Sequence, residues 1–122
     1  MTKPFALIIE DDPDLSDIFS QALIVAGYET EIIQDGQLAL QRLDTAQAVV
    51  IVLDIHLPNV SGETILERIR ADATFEKTRV IVTTADTVMA ELLRDKADIV
   101  LVKPVSFGQL RDLASRLKPA SE

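Results

Sequence analysis

Cysteine is absent from this chain, which rules out disulfides and thiolate metal sites, and one histidine alone does not make a zinc centre of the usual nitrogen and sulfur type. Any metal here is expected to be a hard cation on oxygen ligands. Basic residues are also few: 12 against 20 acidic give a formal net charge of −8, which argues against a phosphate-backbone footprint spread over the surface. No nucleic acid is expected to bind through this domain. The start, Met1-Thr2-Lys3-Pro4-Phe5, lacks the long apolar core of a secretory signal, and no apolar run approaches the length of a membrane span. The cytoplasm is therefore the expected compartment, without a membrane partner. A glycine-rich phosphate loop is missing after the first apolar segment, where Glu10-Asp11-Asp12 stands instead. Those carboxylates would repel a nucleotide or flavin phosphate unless a cation came with it.

What is present is one domain's worth of chain: 122 residues, 48% hydrophobic and 26% charged, enough for a single compact unit over residues 1–122. Its centre is Val49-Val50-Ile51-Val52-Leu53-Asp54, an apolar, mostly β-branched run ending in one aspartate. That is the pattern of a strand buried on both faces in a parallel sheet, where ligands collect outside the carboxyl ends of the strands. Around it, Phe5 to Ile9, a more polar stretch from Tyr28 to Gln34, Arg79 to Thr84 and Ile99 to Val102 read as further strands.

Helical spacing links them. Leu15, Ile18, Phe19, Ala22, Leu23 and Ala26 follow Pro13 and stop at Gly27, a residue suited to a left-handed helix end. Leu38, Ala39, Leu40 and Leu43 mark a second helix, and Ile65, Leu66 and Ile69 a third beginning near Ser61 or Gly62. Asp86 caps a fourth bearing Val88, Met89, Leu92 and Leu93, and Leu110, Leu113, Ala114 and Leu117 mark a fifth before a tail, Lys118 to Glu122, that reads as frayed or as the start of a linker. The faces of Leu15, Ile18, Leu66 and Leu92 are expected in the core, while Val100 and Met89 read as packing. Strict alternation of five strands and five helices predicts an α/β fold, a doubly wound five-stranded parallel sheet with right-handed crossovers. The polar second strand suits an edge, which agrees with, but does not by itself fix, the order 2-1-3-4-5 known from doubly wound sheets of this size.

In that order the first and third strands are neighbours about 5 Å apart, so Asp11 and Asp54 meet at their ends. Such a pair needs a proton or a cation between them, and a magnesium ion on oxygen ligands fits, with Glu10 adding charge. Thr84 ends the fourth strand and Lys103 the fifth. Three acids, a hydroxyl and an ammonium suit phosphoryl transfer onto a carboxylate: Asp54 as nucleophile, Lys103 and the metal neutralising oxygens, Thr84 donating a hydrogen bond. Asp12 and Asp14 read as helix capping and dipole complementarity, and the His56 side chain as an exposed loop group.

The ordered set Glu10-Asp11, Asp54-x-x-Leu57-Pro58-x-x-x-Gly62, Thr84-Ala85 and Lys103-Pro104 resembles the receiver domain of two-component response regulators, over nearly the whole chain. The resemblance implies a flavodoxin-like receiver fold of the chemotaxis-regulator kind in a phosphorelay. Asp54 would accept phosphate from a histidine kinase or histidine phosphotransfer protein. Magnesium would sit on Glu10, Asp11, Asp54 and the backbone carbonyl of His56, Thr84 and Lys103 would contact the phosphoryl group, and Pro104 would follow Lys103 through a cis bond. It implies a signalling phosphoprotein with at most slow loss of its own phosphoryl group, not a turnover enzyme. Its partners would be a downstream protein or attached effector domain, with phosphorylation-dependent dimerisation as a further expectation. The chain would be a stand-alone regulator or a receiver from a longer transcription factor or hybrid kinase. Two positions depart from the family pattern: Val100 stands where receivers often carry an aromatic residue, and Lys96 where glycine is common. His56 and Asp86 occupy sites that in this family tune the lifetime of the phosphorylated state. Two rival readings are a receiver-fold module that binds partners without phosphorylation, and an aspartate-nucleophile phosphohydrolase. The latter generally wants a second acid where His56 stands.

Overall fold

A computed structural model describes residues 2–119. The five strands are β1 (Phe5–Ile9), β2 (Glu29–Ile33), β3 (Val50–Asp54), β4 (Arg79–Thr84) and β5 (Ile99–Val102), all parallel in the order β2-β1-β3-β4-β5. The helices are α1 (Pro13–Val25), α2 (Gly36–Leu43), α3 (Gly62–Arg70), α4 (Thr87–Leu93) and α5 (Phe107–Leu117). The expected α/β architecture and strand order are therefore present. The expected tail lies partly outside the described residues, with Lys118 capping α5.

Period-two alternation divides the core between the two faces of the sheet. Ala6, Ile8, Val50, Val52 and Ile81 pack with Phe19, Leu23, Leu110 and Ala114 of α1 and α5. Leu7, Ile9, Ile51, Leu53, Val80 and Val82 pack instead with Ala39, Leu43, Ile65, Leu66, Ile69 and Leu93 of α2, α3 and α4. Every residue of β3 is buried, as its unbroken apolar run requires. β2 is an edge strand, which fits its alternation of glutamates with Thr30 and Ile32.

Two expectations about the core need correction. Ile18 is 41% exposed and Leu92 65%, whereas Leu66 is buried at 1%. Ile18 lies on the rim of an apolar stripe wider than the seam that α1 presents to the sheet. In the seven-residue α4, Ala90 and Leu93 face inward and leave Val88 and Leu92 on the outside.

Capping oxygens set the helix starts. Asp12, Asp35 and Asp86 each accept two backbone N–H groups at the starts of α1, α2 and α4, and Ser61 and Ser106 each accept one at α3 and α5. Helix α1 ends at Gly27, whose φ of 103° is the left-handed conformation expected there. A short 3-10 turn, Ala73–Phe75, follows α3 and buries Phe75. Lys96 needs no glycine substitute, because Asn59 is the one non-glycine residue at positive φ among the described residues. The Lys96 carbonyl instead accepts from Arg70 Nε at 2.8 Å. Two buried polar ties cross the fold: Tyr28 donates its hydroxyl to the Ala114 carbonyl at 2.8 Å, and Thr78 donates to that of Ala48 at 2.7 Å. Burial pushes the Tyr28 phenol up to about 12. No helix among the described residues is long and apolar enough to cross a membrane.

Candidate functional site

Strand register brings the candidate residues to one end of the sheet. Ile9 pairs with Leu53, so Glu10 and Asp11 leave β1 beside Asp54 at the end of β3. Asp54 in turn pairs with Thr83, placing Thr84 one residue further along β4. The Lys103 amide donates to the Thr84 carbonyl at 2.8 Å, which fixes Lys103 just past β5, ahead of a cis bond to Pro104.

Glu10, Asp11 and Asp54 each offer a carboxylate oxygen, and these atoms lie within 4.8 Å of one another. Glu10 and Asp54 are buried at 1% and 2% exposure, while Asp11 is exposed. Lys103 Nζ supplies the cation that such a pair needs: it lies 2.9 Å from Glu10 Oε1 and 3.4 Å from Asp54 Oδ2. Backbone donors take the remaining oxygens, with the Asp12 amide on Glu10 Oε2 and the His56 amide on Asp54 Oδ1, both at 3.2 Å. Burial pushes the Glu10 carboxyl up to about 7; the Lys103 ammonium opposes that rise and the Asp54 charge adds to it. Burial alone would lower the Lys103 ammonium, but Glu10 and Asp54 outweigh it and hold the group above its ordinary value.

The loop after β3 is shaped by close approach. A Cβ at Gly62 would collide with the carbonyl oxygen of Asp54 and with Ile55, so only glycine lets α3 begin against the end of β3. The Gly62 amide then donates to the Ile55 carbonyl at 2.9 Å. Thr84 is fully buried; its Oγ1 accepts from the Asp86 amide at 3.0 Å and lies 3.3 Å from His56 Nε2. His56 is an exposed residue, as expected, but its ring also reaches β4, a contact that its place two residues past Asp54 permits and that no sequence signal specifies. Val100 is half-buried against the α2–α4 face of the core.

Three oxygen-donor carboxylates with no sulfur or imidazole nitrogen among them match the donor preference of magnesium. Residues 6–115 match the sequence model of the response regulator receiver domain. The chain belongs to that family. Receiver domains are phosphoacceptors that bind magnesium at an acidic site, and are not turnover enzymes. This receiver is 36% identical over 114 residues to the transcriptional regulatory protein TrcR of Mycobacterium tuberculosis, covering 92% of this chain and 43% of that protein. It is 28% identical over 118 residues to the sensor histidine kinase TmoS of Ectopseudomonas mendocina, covering 94% of this chain and 12% of that one. The chain thus spans less than half the length of these relatives. Among solved structures, the chemotaxis response regulator CheY4 of Vibrio cholerae superposes with a TM-score of 0.83 at 26% identity, covering 95% of this chain and 99% of that one. The receiver domain of the sensor histidine kinase PA1611 of Pseudomonas aeruginosa, described with magnesium in its active-site cleft, has a TM-score of 0.83 at 23% identity, covering 95% and 98%.

Proposed function

We propose that Asp54 is the phosphoacceptor of this receiver and takes its phosphoryl group from the phosphohistidine of a histidine kinase or phosphotransfer protein. The observation that carries this reading is the buried Asp54 carboxylate, with Lys103 Nζ 3.4 Å from one oxygen and the acidic oxygens of Glu10 and Asp11 within 4.8 Å. An Asp54 oxygen attacks phosphorus and the donor's P–N bond breaks. The electron pair returns to the donor imidazole, and Asp54 becomes an acyl phosphate. Lys103 exchanges its contacts with Glu10 and Asp54 for a phosphoryl oxygen, and the Thr84 hydroxyl donates to another. Glu10, Asp11, Asp54 and the His56 carbonyl would hold magnesium. When bound, the ion supplies positive charge against the incoming oxygens, which the mouth needs because three carboxylates there outnumber the one ammonium, Lys103, found among the described residues.

The phosphoryl group adds a charge of about −1.5 to −2 and biases the surface near α4 and β5. There Val88 is 69% exposed, Leu92 65%, Val102 40% and Phe107 36%. That surface would serve a downstream protein, an attached effector domain or a phosphorylation-dependent dimer. The test is intact mass after incubation with acetyl phosphate and magnesium. Wild type gains one phosphoryl group and Asp54→Asn gains none. No gain in wild type, with partner binding unaffected by Asp54→Asn, would favour a module that works without phosphorylation.

A further inference from the structure

Resting on the reading of Asp54 as acceptor, we propose that the His56 side chain is a positioning residue that holds the Thr84 hydroxyl away from the acceptor until a phosphoryl group arrives. His56 touches both halves of the site. Its backbone amide donates to Asp54 Oδ1 at 3.2 Å, and its ring crosses to β4, where Nε2 lies 3.3 Å from Thr84 Oγ1. Thr84 is fully buried, so few partners are within reach of its hydroxyl. The oxygen already accepts the Asp86 amide at 3.0 Å. What remains to be directed is the single hydroxyl proton. Given to His56 Nε2, that proton is not available to a phosphoryl oxygen on Asp54, and the two states exclude each other.

The same hydroxyl reaches the surface through its other partner. Asp86 is the N-cap of α4, and its side chain accepts from the amides of Val88 and Met89. Rotation of Thr84 toward the acceptor breaks both the His56 bond and the Asp86 amide bond, and so loosens the anchor of the helix that carries Val88 and Leu92 on its outer face. This route from the acceptor to α4 passes through Thr84 alone and uses no aromatic ring at Val100. Removing the His56 ring frees the hydroxyl and favours the phosphoryl-engaged state.

The test is titration with beryllofluoride, a phosphoryl mimic, in the presence of magnesium. His56→Ala should bind about three- to tenfold more tightly than wild type, the equivalent of one ordinary hydrogen bond, and His56→Gln, which restores a carbonyl acceptor, should lie between the two. In a Thr84→Val background His56→Ala should change nothing. A nitrogen-15 spectrum of the neutral imidazole should show Nε2 as the unprotonated, hydrogen-bonded nitrogen and should shift on beryllofluoride binding. Unchanged affinity in His56→Ala, an equal gain without the Thr84 hydroxyl, or a proton resident on Nε2 would each overturn the proposal. Absence of any Asp54-dependent beryllofluoride binding in wild type would overturn the phosphoacceptor reading instead, and the imidazole spectrum would still decide the His56 contact.

Discussion

Asp98 stands at the entry to β5 with its carboxylate shared between a strand and two arginines. Its Oδ2 accepts the Val80 amide at 2.7 Å and Arg70 Nη2 at 2.9 Å, and its Oδ1 lies 3.4 Å from Arg79 Nη1. In Asp98→Ala the Val80 amide, at a fully buried residue, loses this acceptor, a loss of about 1–3 kcal/mol. The two arginine contacts are partly exposed and add only about 0.2–1 kcal/mol each. The expected total is about 2–3 kcal/mol, or a fall in Tm of about 10 °C for a domain of this size. Asp98→Asn keeps an oxygen for the Val80 amide and loses only the charge, so it should cost about 1 kcal/mol or less.

The pH dependence has a fixed sign. Burial alone would raise the Asp98 carboxyl, but the Val80 amide outweighs it, with Arg70 and Arg79, and the group sits below its ordinary value. A depressed folded pKa contributes stability above the unfolded value, about 3.9, and loses it as pH falls through the folded one. Urea denaturation from neutral to acidic pH should therefore show a gap between wild type and Asp98→Asn that is full at neutrality and narrows below about pH 4. A gap that does not narrow in acid, or an Asp98→Ala variant within about 0.5 kcal/mol of wild type, would mean that the Asp98 carboxylate does not anchor β4.

Other perturbations separate the parts of the structure. Lys103→Met leaves Glu10 and Asp54 buried without their shared cation and should lower metal-free stability by about 1–2 kcal/mol, the one-fifth exposure of the lysine keeping the loss below that of a fully buried pair. Added magnesium should narrow that gap in a thermal melt. Thr83 Oγ1 is buried and has no hydrogen-bond partner among the described residues, so Thr83→Val should match or exceed wild-type stability by up to about 1 kcal/mol in urea. Leu66→Ala should cost about 2–5 kcal/mol and Leu92→Ala no more than about 0.5 kcal/mol, although both sit at helical apolar spacing.

The contrast between Leu66 and Leu92 shows where sequence patterning stops. Alternation of apolar runs gives the order of elements, and the run ending at Asp54 gives the centre of the sheet, because burial on both faces leaves no other composition for a middle strand. Once the strand ends are adjacent, Glu10, Asp11, Asp54, Thr84 and Lys103 share one mouth, so their proximity is legible too. Helical spacing marks a stripe without its limits. It therefore does not separate Ile18 and Leu92, on the rim or outer face, from Leu66 at the centre. Contacts made by rotamers across loops are not encoded in spacing: the His56 ring on Thr84, the Asp98 carboxylate on the Val80 amide, and Lys103 bonding Glu10 more closely than Asp54.

An acyl phosphate on Asp54 can be located chemically. Borohydride reduction after reaction with acetyl phosphate and magnesium converts a phosphorylated aspartate to homoserine, which peptide mass mapping places in the sequence. Conversion is expected at position 54 alone; homoserine at position 11 or at another carboxylate position, with position 54 unchanged, would show that Asp54 is not the acceptor.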